Sequence, residues 1–370
     1  MDFRLSDEQA MLRDTLTRYL AEADPLHARL KRRTRTVAGD ATLWRALAAE
    51  LGVVGAALPE EAGGLGGGPV ETMIVMEALG EALADAPYLS NVVLSAGVLR
   101  QAGDVALLPG IADGTVQVAL AALEAGSRHA WHAVSARAVR ESDGWRVTGE
   151  KAVVLGAPDA DRLLVSARTA GAARDRDGVS MFLVCADAVR RHDYRLIDGS
   201  VAADIVLDAA PAALVGQEGA AVAWLEAAGD AAIAAICGEA AGVARRMLAD
   251  TVEWTKQRRQ FGQPLASFQV LQHRMVDMYM AAEQIQSAAY LATLNLDADA
   301  AIRARAVSAA KAVVADGLRF VAQNAVQLHG AMGMTDELPV GLYFKRATAI
   351  EQQFGGADHH LARYGALAAA

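Results

Sequence analysis

Two short segments hold residue types, at spacings, that could do chemistry. Arg258-Arg259-Gln260-Phe261-Gly262-Gln263-Pro264 sets a cation and an aromatic ring three residues apart. Gly262 and Pro264 force a turn there. Read alone, Arg258 is a cation at a helix C-terminus, where the helix dipole favours positive charge. The second segment is Gln327-Leu328-His329-Gly330-Ala331-Met332-Gly333-Met334-Thr335. Its glycines let backbone approach a ligand closely, and read alone it is a helix C-cap. Other signals exclude chemistry. The run from Gly63 to Gly68 lacks the Lys-Ser/Thr pair of a phosphate-binding P-loop and leads into Pro69-Val70, so it reads as a flexible turn between helices. His129 with His132, and His359 with His360, lack the acidic partners and i,i+4 spacing of a zinc site, and no metal is expected. Cys185 and Cys237 form no CxxC pair, which argues against a disulfide framework.

These segments need elements to position them, and the chain reads as three blocks. Residues 1–113 are helical. Ser6 caps a helix with Gln9 as its capping-box partner, and Met11, Leu12, Leu16, Tyr19 and Leu20 follow at helical spacing. Trp44, Leu47, Ala48 and Leu51 repeat the pattern up to Gly52, and Pro69 starts another helix. Residues 114–214 change period. Val116, Val118 and Leu120 alternate, as does Ala133 to Arg140, and Asp143-Gly144 signals a hairpin. Val153–Leu155, Leu163–Val165, Met181–Val184 and Ile205–Leu207 are further short apolar runs, which predict a small barrel or sandwich. Residues 215–370 return to long helices over 221–255, 267–294 and 301–328, with Gly330 as a stop, and predict an antiparallel bundle. The predicted architecture is a multidomain α+β chain with an all-α N-terminal domain, a β-barrel middle domain and a C-terminal four-helix bundle.

Composition narrows the partners. The 370 residues are 53% hydrophobic but only 5% aromatic, and the formal charge is −9. An acidic chain lacks the basic face of a nucleic-acid binder, although a local cation for a phosphorylated ligand remains open. The start, Met1-Asp2-Phe3-Arg4, has no basic region followed by an apolar stretch. The richest apolar run, 220–244, is interrupted by Glu226, Asp230 and Glu239, so a soluble cytoplasmic protein is expected.

Helices, strands, helices, an Arg-x-x-Phe-Gly turn and a Gln-x-His-Gly-x-x-Gly segment: in this combination the whole chain resembles the acyl-CoA dehydrogenase family. Gly66 to Glu77 is similar to a subgroup of small subunits of pimeloyl-CoA dehydrogenases. The resemblance implies FAD, an acyl-CoA thioester oxidised between Cα and Cβ, and a homotetramer or a heteromeric tetramer. It implies that Arg258 and Phe261 reach across a subunit interface to a neighbour's FAD, the guanidinium fork suiting a pyrophosphate. Leu265 and Phe268 would wall the same site. Gln327 and the backbone from Gly330 to Gly333 would touch the neighbour's cofactor, although Ala331 stands where the family has glycine.

The residues that would serve this chain's own flavin depart further. The family's Thr-Glu-Pro-Gly is Leu123-Glu124-Ala125-Gly126, and its Trp-x-Thr is Val153-Val154-Leu155. Ser127 is a candidate at the CoA entrance. The usual catalytic glutamate falls on Gly355, and a second family location for the base falls near Ala232. Neither can accept a proton, which leaves the base unassigned, with Glu239 and Glu351 as substitute candidates. The losses point to a non-catalytic subunit that completes a partner chain's FAD site. The alternative is a self-sufficient homo-oligomeric dehydrogenase with a displaced base. A lesser one is another flavin chemistry, such as an oxidase or monooxygenase, on the same fold.

Overall fold

The computed structural model describes residues 4–33, 37–335 and 337–369. Met1–Phe3, used above in reading the N-terminus, lie outside the described residues. The helices are α1 (Asp7–Arg18), α2 (Leu26–Arg33), α3 (Ala41–Arg45), α4 (Pro69–Ala82), α5 (Ala96–Ala102), α6 (Leu108–Ala112), α7 (Ala221–Gln257), α8 (Gln269–Leu294), α9 (Ala300–His329), α10 (Val340–Gln352) and α11 (Ala357–Ala369). The strands are β1 (Val118–Ala121), β2 (Arg137–Glu141), β3 (Gly144–Leu155), β4 (Arg162–Arg168), β5 (Val179–Cys185), β6 (Arg190–Arg195), β7 (Val201–Val215), β8 (Arg259–Gln260) and β9 (Gln263–Pro264). The order is thus helices, a β region, helices. The chain divides into two compact units: one takes the chain up to Leu26, Met73–Ala84 and everything from Ile233, and the other takes His27–Thr72 and Asp85–Ala232.

The first unit is helical. Ser6 caps α1 as predicted, its hydroxyl accepting from Gln9 N while the Gln9 side chain accepts from Ser6 N. Met11, expected on the apolar face, is 68% exposed, and Leu16 and Leu20 carry the burial instead. Glycines set the crossing of α4 and α7. A Cβ on Gly242 would stand 2.0 Å from Glu77 O, and one on Gly80 would stand 2.3 Å from Glu239 O. The backbones therefore touch where any side chain would part them. Arg245 of α7 pairs with Glu77 and Glu81, and Tyr343 of α10 donates to Glu81 O at 2.5 Å. The helix α7 is long and apolar enough to cross a membrane, but 72% of its most apolar window is buried inside the protein.

The second unit holds the barrel. Strands β4, β2, β3, β7 and β5 pair in sequence and β5 pairs back onto β4, closing the ring, while β1 joins β4 and β6 joins β7. Val147, Leu163, Val165, Met181, Phe182 and Ile205 are fully buried along these strands. Several details differ from the sequence reading. The strand β1 does not alternate: all four residues are buried, because it lies parallel to β4 with its edge covered by the Asn91 side chain, which accepts from Val118 N at 2.8 Å. The β2–β3 turn is Ser142-Asp143, one residue earlier than expected, since Glu141 pairs with Gly144. Ala133–Ala136 is loop rather than strand, for reasons given below. The polar β6 carries no hydrophobic signal and forms only by pairing with β7. The Gly63–Gly68 run is not flexible: Gly64, Gly66 and Gly67 donate to Pro59, Leu58 and Ala56 carbonyls. A Cβ on Gly64 would stand 2.2 Å from Leu58 O, so glycine is used here for close packing.

The helix crossing yields a paired test. Gly242→Ala is expected to cost about 1–3 kcal/mol through overpacking against α4. Gly365→Ala, on α11 with nothing within 4 Å of its Cβ position, should gain up to about 1 kcal/mol from helix propensity. Equilibrium denaturation of both variants decides it, and equal effects would refute the crossing as drawn.

Candidate functional site

The two segments singled out from sequence are brought together in the helical unit. The helix α7 runs to Gln257, and Trp254 in its last turn stacks on His329 at the end of α9, with ring centroids 5.3 Å apart and planes 18° from parallel. His329 Nδ1 lies 2.8 Å from Ala325 O, which fixes the ring. This contact seats the Arg258–Phe268 segment beside the Gln327–Gly333 segment.

After Arg258 the chain makes a two-residue hairpin, β8 to β9, whose loop is Phe261-Gly262. Both stand at positive φ, +53° and +80°. Glycine favours that conformation, but for phenylalanine it is strained by roughly 1–2 kcal/mol. The result is a ring displayed outward, 89% exposed, packed edge-on against Phe268 at 6.1 Å between centroids. The Arg258 side chain makes no hydrogen bond or ion pair among the described residues. Gln327 is exposed, Leu265 and Phe268 are half-buried, and Gly330 turns at φ +63°. A Cβ on Gly333 would stand 2.8 Å from Val326 O, so glycine is required there. The Ala331 methyl, which departs from the family pattern, is on an exposed residue. This surface offers a cation, two aromatic rings and open backbone, a donor set that fits a phosphorylated, planar cofactor.

The barrel unit contains the segment Leu123–Ser127, and here the polar groups are committed internally. The Glu124 carboxylate accepts from Ser135 N (2.7 Å), Ala136 N (3.0 Å) and Lys151 Nζ (2.8 Å). These bonds hold Ala133–Ala136 out of the β2 ladder. Burial works against ionisation of Glu124, but Lys151 and the two amides outweigh it and keep its carboxyl below the usual range. Burial pushes Lys151 down to about 8, and Glu124 opposes that fall. Lys151 also donates to Ser166 Oγ at 3.0 Å. The Ser127 hydroxyl closes its own turn, donating to Glu124 O at 2.8 Å and accepting from Glu124 N. Val153 sits in a bulge of β3 at φ +53°, 49% exposed, a conformation that β-branched residues rarely adopt. The bulge re-aims that side chain outward, but valine, Leu123 and Leu155 offer no hydrogen-bonding side chain.

The candidate bases are also engaged. Glu239 accepts from Arg346 Nε and Nη2, each at 2.6 Å, a part-buried fork-to-fork pair. Glu351 accepts from Arg319 at 2.8 Å and Gln352 at 3.2 Å. Gly355 stands at φ +109°, and a Cβ there would lie 2.4 Å from the His359 ring. The loop around it is pinned by Lys311, which sequence reasoning missed because it lies mid-helix in an alanine-rich stretch. Its ammonium is fully buried and donates to Ile350 O, Glu351 O and Gly355 O, each at 2.9 Å. Burial pushes Lys311 down to about 8 and the nearby Cys237 thiol up to about 12. Burial, then the Lys311 and His359 charges, lower His360 to about 3.

Family models described as the N-terminal and C-terminal domains of acyl-CoA dehydrogenase match residues 6–114 and 231–365. Acyl-CoA dehydrogenase FadE27 of Mycobacterium tuberculosis is 31% identical over 342 residues, covering 88% of this chain and 87% of that protein. The Tcur3481-Tcur3483 steroid ACAD variant matches with TM-score 0.87 at 31% identity, covering 98% of each chain. The ChsE4-ChsE5 complex from Mycobacterium tuberculosis matches with TM-score 0.89 at 27% identity, covering 100% of this chain and 99% of that one.

Two outcomes test these placements. Glu239→Gln should cost about 1–3 kcal/mol by removing the carboxylate charge from its pair with Arg346, while Glu239→Gln combined with Arg346→Met should recover part of it; a double variant no more stable than the single one would contradict the pair. For His360 the folded pKa is below the unfolded one, so falling pH protonates the unfolded chain first. Stability is then lost between about pH 6.5 and 3, by up to about 1.4 kcal/mol per unit. The stability gap between wild type and His360→Gln should therefore narrow as pH falls through that window. A gap that stays constant in denaturation at pH 7 and pH 4 would disprove it.

Proposed function

Because this chain belongs to the acyl-CoA dehydrogenase family, we propose that it is the non-catalytic subunit of a heteromeric enzyme and donates FAD contacts to a catalytic partner chain. FAD is the cofactor of this enzyme, whose reaction is oxidation of an acyl-CoA thioester. When bound, FAD supplies the hydride acceptor. The protein's part is to hold it, orient the thioester and take a proton from Cα.

One observation carries the reading: the donor groups facing outward are unspent, and those facing this chain's own flavin position are spent or missing. Arg258 and Phe261 are exposed on a strained hairpin without a side-chain ion pair among the described residues. An exposed, uncommitted guanidinium with a ring on the same turn would bind pyrophosphate and cover a flat group. Gln327 and the Gly330–Gly333 backbone would extend that contact, between the walls formed by Leu265 and Phe268. Against this, Glu124 is used by Lys151, Ser127 by its own turn, Glu239 by Arg346 and Glu351 by Arg319. Similarity to a chain of the ChsE4-ChsE5 complex supports a second chain as partner, which we take to be of the same family. The split into domains 1–113, 114–214 and 215–370 and a tetrameric, cytoplasmic assembly belong to the same reading.

The test is co-expression with a candidate partner that carries glutamate at the position of Gly355. The lone chain should purify without bound FAD and without turnover on octanoyl-CoA, pimeloyl-CoA or a steroid side-chain CoA thioester. In the complex, Arg258→Ala of this chain should weaken FAD retention at least about tenfold, the loss of one charge-assisted contact. A yellow, active lone chain would refute the proposal.

A further inference from the structure

The loop between Ser127 and β2 is fixed at both ends. Its start is locked by the Ser127 turn, followed by Arg128 at φ +51°. Its end is held by Arg168, a fully buried guanidinium that donates to His132 O at 2.8 Å and Val134 O at 2.9 Å. The same guanidinium donates to Asp175 O at 2.5 Å and Asp177 O at 2.9 Å, which ties in the neighbouring loop. That second loop reaches α7 through Arg176, whose Nη2 donates to both Glu226 oxygens at 2.8 and 2.9 Å.

Between these anchors the half-buried Trp131 indole lies on α7 at Gly229. A Cβ on Gly229 would stand 2.7 Å from the indole Nε1 and 2.9 Å from its Cζ2, so only glycine lets the ring rest there. Ala232 is three residues further along α7, on the same face. An acyl group reacting between the Leu123–Ser127 segment and a base near Ala232 would have to occupy this part of the helix face.

We propose that Trp131 fills the acyl position of this chain's own unit and excludes acyl-CoA from it. The inference rests on the reading of this chain as the non-catalytic subunit. A tryptophan covers as much surface as an acyl segment of several methylenes, and here it is presented by a preorganised loop rather than a mobile one.

The test uses the full-length chain, with octanoyl-CoA and free CoA as probes in titration calorimetry. Wild type should bind octanoyl-CoA no more tightly than CoA. Trp131→Ala should bind octanoyl-CoA at least about tenfold more tightly than wild type, with CoA affinity unchanged. Trp131→Leu keeps an apolar cover for Gly229 and should show a smaller gain; it decides the matter if the alanine variant does not fold. The role of Trp131 is overturned if wild type already prefers octanoyl-CoA, or if the folded variants match wild type. Flavin content and turnover of the same wild-type sample separate the two ideas. A yellow, active chain sinks the subunit reading. A colourless chain whose variants gain no octanoyl-CoA affinity sinks only the role of Trp131.

Discussion

A cation taken out of water must recover its hydrogen bonds inside the protein, and the loops that matter in this chain are arranged around that requirement. Lys151 finds Glu124 and Ser166, and the Leu123–Ser127 segment is held as a result. Arg168 gathers carbonyls from two loops, which sets the path just after Trp131 and in the neighbouring loop. Lys311 closes on two carbonyls in the last turn of α10 and on Gly355 O, and pins the turn there. In each case a single desolvated group removes the freedom of a loop that lacks ladder or helix bonds of its own.

The same economy explains the asymmetry of the functional surfaces. A carboxylate whose oxygens are already taken by a cation has few lone pairs left for substrate, as with Glu124 and Glu239. The exposed Phe261 shows the opposite arrangement. Holding a phenylalanine at positive φ and leaving it 89% exposed gains the chain little beyond one edge-on contact with Phe268. Such a feature makes physical sense when the compensating contact lies outside the chain. The Trp254–His329 stack keeps the two outward segments together without using any of their own donors.

Much of this was legible in advance wherever one residue acts on its neighbours. The Ser6–Gln9 capping box, the start of α4 at Pro69 and the stop at Gly330 follow from local chemistry. Long helical periodicity located α7, α8 and α9 to within a few residues. The failures share a cause. Strand β6 has no apolar pattern because its stability comes from the β7 ladder. Strand β1 is buried throughout because β4 pairs with one edge and the Asn91 side chain covers the other. Glycines 64 and 67 looked like flexibility because their near contacts, Leu58 and Ala56 carbonyls, are made by the folded backbone.

The sequence by itself determined the order of the blocks, the outward Arg258–Phe261 turn and the absence of a carboxylate at Gly355 and Ala232, since residue identity alone settles whether a group can ionise. Only the tertiary structure decided which of the remaining charges are available. Glu239, Glu351, Glu124 and Ser127 are chemically competent as letters, but their partners Arg346, Arg319, Lys151 and the Glu124 backbone use their lone pairs. Sequence spacing tells little about such partners, 107 positions apart for Glu239 and Arg346. Availability is a property of hydrogen bonds and burial, and those exist only once the chain has folded.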